Sequence, residues 1–226
     1  ENVKDILIPS EERAIQMYPM DYEEFCWAIG QTNSFEIGRT IWQEKKSLGD
    51  DVNRDLMKKF RLYMIVGGMP QAVEAFIKTN NFSKVDLVKR DILKLYENDF
   101  MKFDSSGRSS LIFDHIPAEL QKNASRYQIS SVIENARAGT MLERIAKLQD
   151  SKTVNIAYHA NAQEAGLSQN IDLEKFKLFL CDTGLFVTLC FKDKEFTENI
   201  IYEKLLSDKI PSNLGYVYEN IVAQML

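Results

Sequence analysis

Five residues near the middle of the chain have the types and spacing to hold nucleic acid. Arg137, Thr140, Arg144 and Lys147 recur at intervals of three and four, which puts them on one side of a helix, and Lys152 lies just beyond. Residues 120–152 carry six basic side chains against three acidic ones, so this region is locally cationic. Set into a major groove, such a face offers arginine to guanine edges or to phosphates. The same residues also read as a solvated helix face with paired charges, or as a protein-docking surface.

A second string with chemical potential is Gly67-Gly68-Met69-Pro70. Glycine accepts positive φ and proline restarts a helix, so the plain reading is a helix break. The functional reading makes Gly67, Gly68 and Pro70 a hinge between helices, with Arg61 upstream reaching a nucleotide phosphate. Asp182 follows the apolar run FKLFLC and precedes Thr-Gly. A carboxylate at a strand end can hold a metal. With no further carboxylate at suitable spacing, a turn closed through backbone amides is the better reading. Glu97 and Asp99, two apart, do not share a helix face and read as solvated.

Absences bound the chemistry. The 226 residues contain no GxxxxGK[ST] and no Gly-Lys dipeptide, so they hold no phosphate-binding loop. His115 and His159 lie far apart without a cysteine or carboxylate cluster, which argues against zinc or any other bound metal. No GxSxG appears. Cys26, Cys181 and Cys190 form no CxxC, which fits reduced, buried thiols in a cytoplasmic protein. The net charge of −5 argues against nucleic-acid binding by bulk electrostatics and leaves only a local basic face. No apolar run approaches the roughly eighteen residues of a membrane helix, and no signal peptide is visible.

The elements that must position these residues are mostly helical. Residues 3–8 and 13–18 alternate enough for two short strands, stopped by Pro19. A helix follows from Tyr22 to Ile29. Asp21 is its N-cap, Glu24 completes a capping box, and Met20 with Phe25 suits a hydrophobic staple. Leu56, Phe60, Tyr63 and Met64 mark a helix that ends at Gly67. Pro70 opens the next, through Ile77. Ser83 caps a third, with Phe82 and Leu87 as a staple and Val85, Val88, Ile92, Leu95 and Tyr96 on one face. The tract DSSGRSS, residues 104–110, has linker composition. Then come helices over Leu111–Lys122, from Ser130 or Ser131 to Asn135, and over Thr140–Leu148, with Met141, Leu142, Ile145 and Leu148 inward. Strands Val154–His159 and Phe176–Cys181 follow. Three helices and a hairpin give a winged-helix order. Residues 183–226 read as mostly helical. The fold class is mainly α (α+β).

The strings MYPMDYEEFCWAIG, YMIVGGMPQAV, DILKLYENDF, IPAELQ with ENARAGTMLERIAKL, FLCDTGLF and LGYVYENIVAQML occur in this order. Together they resemble prokaryotic AAA+ ATPases that carry a C-terminal domain of unknown function, numbered 4143. The resemblance spans essentially the whole chain. It implies a parent protein that binds ATP and Mg²⁺ in a core preceding Glu1, and a nuclease-like end of PD-(D/E)xK type reaching beyond Leu226. The positions matched are Tyr18, Pro19, Glu24, Phe25, Gly67, Gly68, Pro70, Asp182, Gly184, Glu219 and Asn220. On this resemblance, residues 1–30 are the end of the ATPase core and 31–108 a helical lid over the nucleotide. Residues 109–182 are a winged-helix-like domain and 183–226 the start of the nuclease-like domain. The chain reads as an internal piece, not catalytic alone and binding no cofactor by itself. It would couple nucleotide state to duplex DNA or to a protein partner. The alternative is a DNA-binding module or docking scaffold with no ATP-dependent role.

Overall fold

Asp21 starts the ordered fold as its spacing to Glu24 predicts. The Asp21 carboxylate accepts the Glu24 amide at 2.8 Å, and the Glu24 carboxylate accepts the Asp21 amide at 2.9 Å. These bonds satisfy two donors that a helix start leaves unpaired. They launch α1 (Tyr22–Ala28), whose Phe25 and Cys26 are fully buried. The computed structural model describes residues 15–32, 34–160, 170–194, 202, 205–207 and 215–226. The first expected strand, 3–8, lies outside them. Of the second, residues 15–18 are described and form no strand.

Next come α2 (Ser34–Gln43), α3 (Asp50–Val66), α4 (Pro70–Thr79) and α5 (Phe82–Phe103). Pro70 sits at the first turn of α4, where a missing N–H costs nothing. The α5 start differs from the expectation. Asn81, not Ser83, is its cap, and the Asn81 side chain accepts from the Ser83 and Lys84 amides at 2.9 and 3.3 Å. Its buried stripe is also shifted. Val85, Asp86, Lys89, Ile92, Leu93 and Phe100 face inward. Leu87 and Leu95 are 61% and 59% exposed, so neither a Leu87 staple nor an inward Leu95 forms.

Residues 104–107 make a tight turn into α6 (Arg108–Asp114), followed by α7 (Ile116–Gln121), α8 (Ile129–Val132) and α9 (Ala138–Asp150). Ser130 and Ser131 lie inside α8, and its cap position is Gln128. The buried Glu119 carboxylate accepts the Gln128 amide at 3.0 Å and the Ser131 hydroxyl at 2.6 Å, which holds α8 against α7. Along α9, Met141, Ile145 and Leu148 are buried at the spacing of one helix face.

Strands β1 (Val154–Ala160) and β2 (Ile171–Leu180) pair antiparallel, with Val154 opposite Leu180 and Tyr158 opposite Phe176. The register shifts between Tyr158 and His159. Helix α10 (Thr183–Leu189) is buried at every position, and α11 (Gly215–Met225) ends the described chain. One hydrophobic core runs from Tyr22 to Ile221 and draws on nearly all of these elements. Glu97, expected in solvent, is ion-paired with Lys192, which also bonds Asp114 at 2.7 Å and so ties α5 to α6.

Asp104 organises the turn that composition marked as a linker. It accepts the Ser106 amide at 3.2 Å and hydroxyl at 2.5 Å, and the Ser109 amide at 2.8 Å and hydroxyl at 2.7 Å. Arg144 of α9 adds a bond at 3.1 Å. Burial raises the Asp104 pKa, but the hydrogen bonds from Ser106 and Ser109 and the Arg144 charge outweigh it, and the carboxyl lies well below the usual carboxylate range. A depressed folded pKa gives stability that is complete above the unfolded value, about 4, and lost progressively as pH falls toward the folded value. Asp104→Asn is expected to cost about 2 kcal/mol at neutral pH. It should also flatten the loss of stability below pH ~4. Urea unfolding of both proteins across that range is the measurement.

Candidate functional site

The Gly67-Gly68 turn lies where the end of α3 meets the start of α10. Gly67 has φ of 84°, a left-handed value that favours glycine. A Cβ on Gly184 would stand 2.4 Å from the Val66 carbonyl oxygen and 2.6 Å from Gly67 Cα. A Cβ on Gly68 would stand 2.0 Å from the Met20 carbonyl oxygen. Backbone therefore touches backbone at this crossing, and side chains have no room.

Two buried charges fasten the crossing. Asp182 is the N-cap of α10, and its carboxylate accepts the Leu185 amide at 2.8 Å and the Gly68 amide at 2.5 Å. Burial pushes its pKa up, against those amides and the nearby Lys89 charge. Lys89 of α5 is wholly buried, and its ammonium donates to the Ile65 carbonyl at 2.7 Å and to the Gly184 carbonyl at 3.2 Å. It thus caps the C-terminal turn of α3, where carbonyls lack helical partners. The Tyr202 ring lies 5.5 Å from the Lys89 nitrogen. Asp86, also buried, accepts from Arg90 at 2.8 Å, from the Tyr202 hydroxyl at 2.8 Å and from Thr188 at 3.2 Å. Asp182 is thus a backbone clamp, as the turn reading expected, although it reaches three residues on and across to the α3–α4 turn.

Arg61 is half-buried on α3, two turns before the glycines, while Pro70 is exposed. The basic residues of α9 do not form one open face. Arg137 and Thr140 are exposed at its start, where the Thr140 hydroxyl donates to the Arg137 carbonyl at 2.8 Å. Lys152 is exposed beyond its end, with φ of 60°. Between them, Lys147 pairs with Glu143 at 2.7 Å. Arg144 turns to Asp104, with its side chain 28% exposed. Near the C-terminus, Glu219 pairs with Lys177 at 2.5 Å. Asn220 is buried and accepts the Leu180 amide at 2.9 Å. Both hold α11 to the hairpin.

Sequence reasoning missed Lys89 and Asp86. The signal was present, because Lys89 falls four after Val85 and three before Ile92, on the apolar stripe of α5. Gln224 and Thr183 were missed because only the tertiary fold brings them together. The thiols offer no nucleophile: burial pushes Cys181 and Cys190 up to about 12 and raises Cys26 as well. Among the described residues, no group of three histidine, cysteine or acidic side chains is placed to hold a metal ion, and no helix is long and apolar enough to cross a membrane.

Among the described residues, these features define a mainly helical domain with one small two-stranded antiparallel sheet. The chain belongs to the family described as Domain of unknown function (DUF8612), which matches residues 57–195. That span holds Gly67, Gly68, Lys89, Asp104, Arg144, Asp182 and Gly184. No curated protein and no solved structure matches the chain.

Two variants test the crossing. Gly184→Ala is expected to cost about 3 kcal/mol, since two backbones must part. Gly38→Ala, inside α2 with nothing within 4 Å of the added carbon, should instead gain up to about 1 kcal/mol. Thermal unfolding separates them. Lys89 gives a pH signature. Burial pushes its pKa down to about 8, although Asp86 and Asp182 pull it back up. The unfolded lysine, near 10.4, binds more protons between those values, so stability should rise with pH from about 8 to about 10. Lys89→Met should remove that rise, read by urea midpoints across the window.

Proposed function

We propose that this chain is the lid and winged-helix-like part of an ATP-dependent AAA+ protein of the cytoplasm. It couples nucleotide state to a DNA- or protein-binding module. In this reading α3, α4 and α5 cover a nucleotide held, with Mg²⁺, by a core outside the chain. Gly67, Gly68 and Pro70 are the pivot and Arg61 approaches a phosphate. Helices α6–α9 with the hairpin form the effector, and α11 begins a nuclease-like end. The chain performs no catalysis itself.

The observation that carries the proposal is the bonding of the α3–α4 turn. Gly68 accepts the Met20 amide through its carbonyl at 2.8 Å and donates its own amide to Asp182. The turn is therefore gripped from the segment before α1 on one side and from α10 on the other. A displacement entering near residue 20 has a direct mechanical route to the C-terminal half.

For the effector, the open cations favour phosphate contact over base reading. Arg137 and Lys152 stand exposed at opposite ends of α9, whereas Arg144 is committed to Asp104. An isolated DNA-binding module or docking scaffold is the second reading, and these same two cations support it.

One preparation tests both. The purified chain is expected to hydrolyse ATP at background only, and turnover abolished by Arg61→Ala would overturn the lid reading. Its affinity for duplex DNA should fall steeply with salt and weaken in Arg137→Ala and Lys152→Ala. Binding that ignores both salt and substitution removes the proposed cationic contact and leaves a protein partner.

A further inference from the structure

A closed circuit of hydrogen bonds joins stretches of chain that are distant in sequence. The Met20 amide donates to the Gly68 carbonyl at 2.8 Å. The Gly68 amide donates to Asp182 at 2.5 Å. Thr183, the next residue, donates both its amide and its hydroxyl to Gln224 Oε1, each at 2.8 Å. Gln224 Nε2 donates to the Tyr63 hydroxyl at 2.8 Å. The Tyr63 hydroxyl then donates to the Met20 carbonyl at 2.7 Å and closes the circuit.

Its polarity is self-consistent. A phenol has one proton to give. The Met20 carbonyl can only accept, so Tyr63 must donate there and accept from Gln224. Gln224 must then turn its nitrogen to Tyr63 and its oxygen to Thr183, which has two protons to offer. Burial, with the Asp182 charge nearby, keeps the Tyr63 phenol protonated and able to donate. Tyr63, Asp182 and Thr183 are all fully buried. A link broken there leaves a polar group dry and unpaired, which costs more than the bond itself contributes.

We infer that this circuit is a single latch that holds the segment before α1 and helix α11 to the α3–α4 turn and opens as a unit. The close fit of the Met20 carbonyl against Gly68 leaves the segment no room to slide while the latch is shut. Opening therefore means lifting residues around Met20, and the lost Tyr63 bond also frees Gln224. The latch is a device of the fold and needs neither ATP nor DNA; it shares the Met20–Gly68–Asp182 bonds with the proposed function and does not rest on that reading.

Amide hydrogen exchange on the whole chain tests it. Gln224→Met alters a side chain that bonds neither Met20 nor Gly68, yet it is expected to speed exchange at both amides about tenfold. Tyr63→Phe should do the same at Thr183. The double variant should exchange no faster than either single one. The Ile145 amide in α9 is the reference and should stay unchanged. Acceleration by Gln224→Met at Thr183 alone, a multiplied effect in the double variant, or a parallel rise at Ile145 would each overturn the inference. Gln224→Met suffices if Tyr63→Phe does not fold.

Discussion

Everything in this fold depends on one contact, in which the backbone at the end of α3 lies directly against the backbone at the start of α10. Dispersion alone holds such a crossing weakly, because glycines bring few atoms to it. Close approach instead brings peptide groups within reach of two buried charges. Asp182 takes amides from both sides and Lys89 takes carbonyls from both sides. Each charge is expensive to bury, and each is tolerable because helix ends present complementary partial charges. The result is a neutral, dry joint built from one anion, one cation and three peptide groups, since the Gly184 carbonyl and the Leu185 amide belong to the same one.

Around that joint, α10 packs against α3, α5, α11 and the second hairpin strand. Asp104 and Arg144 form a second, smaller joint between the end of α5 and α9. Both joints use a carboxylate that accepts backbone amides. Asp104 adds an ion pair with Arg144, whereas Asp182 has only the nearby Lys89 charge.

The local parts of this design were legible in the sequence. Asp21 and Glu24 are three apart and need nothing else to find each other. Gly67 and Pro70 mark a stop and a start by backbone preference alone. The first hairpin strand falls where expected, but the second begins at Ile171, five residues before the expected Phe176. What could not be read was anything decided by distant partners. Ser83 is the expected cap of α5, but the Asn81 side chain reaches two amides and takes that role. Helix α2 has no counterpart among the expected elements, although its apolar residues Phe35, Ile37, Ile41 and Trp42 gather on one half of the helix. Arg144 shared a helix face with Arg137 and Lys147, yet a carboxylate 40 residues earlier claims it. Family membership adds a boundary to this picture: residues 57–195 contain both joints, but neither Met20 nor Gln224.

The fully buried α10 also constrains the order in which the protein is made. Its clasp with Gly68 spans 114 residues, and the Gln224 bond to Tyr63 spans 161. A ribosome adding roughly 5–20 residues per second leaves α3–α5 without their central partner for on the order of ten seconds. During that time Tyr63, Ile65, Val66, Val85 and Ile92 have no completed core to enter. The nascent chain is thus obliged to carry an open apolar trough until residue 189 has emerged, and long-range closure of this kind folds slowly. The same helix that makes the finished molecule one body makes its N-terminal half the part most in need of protection from aggregation while the chain grows.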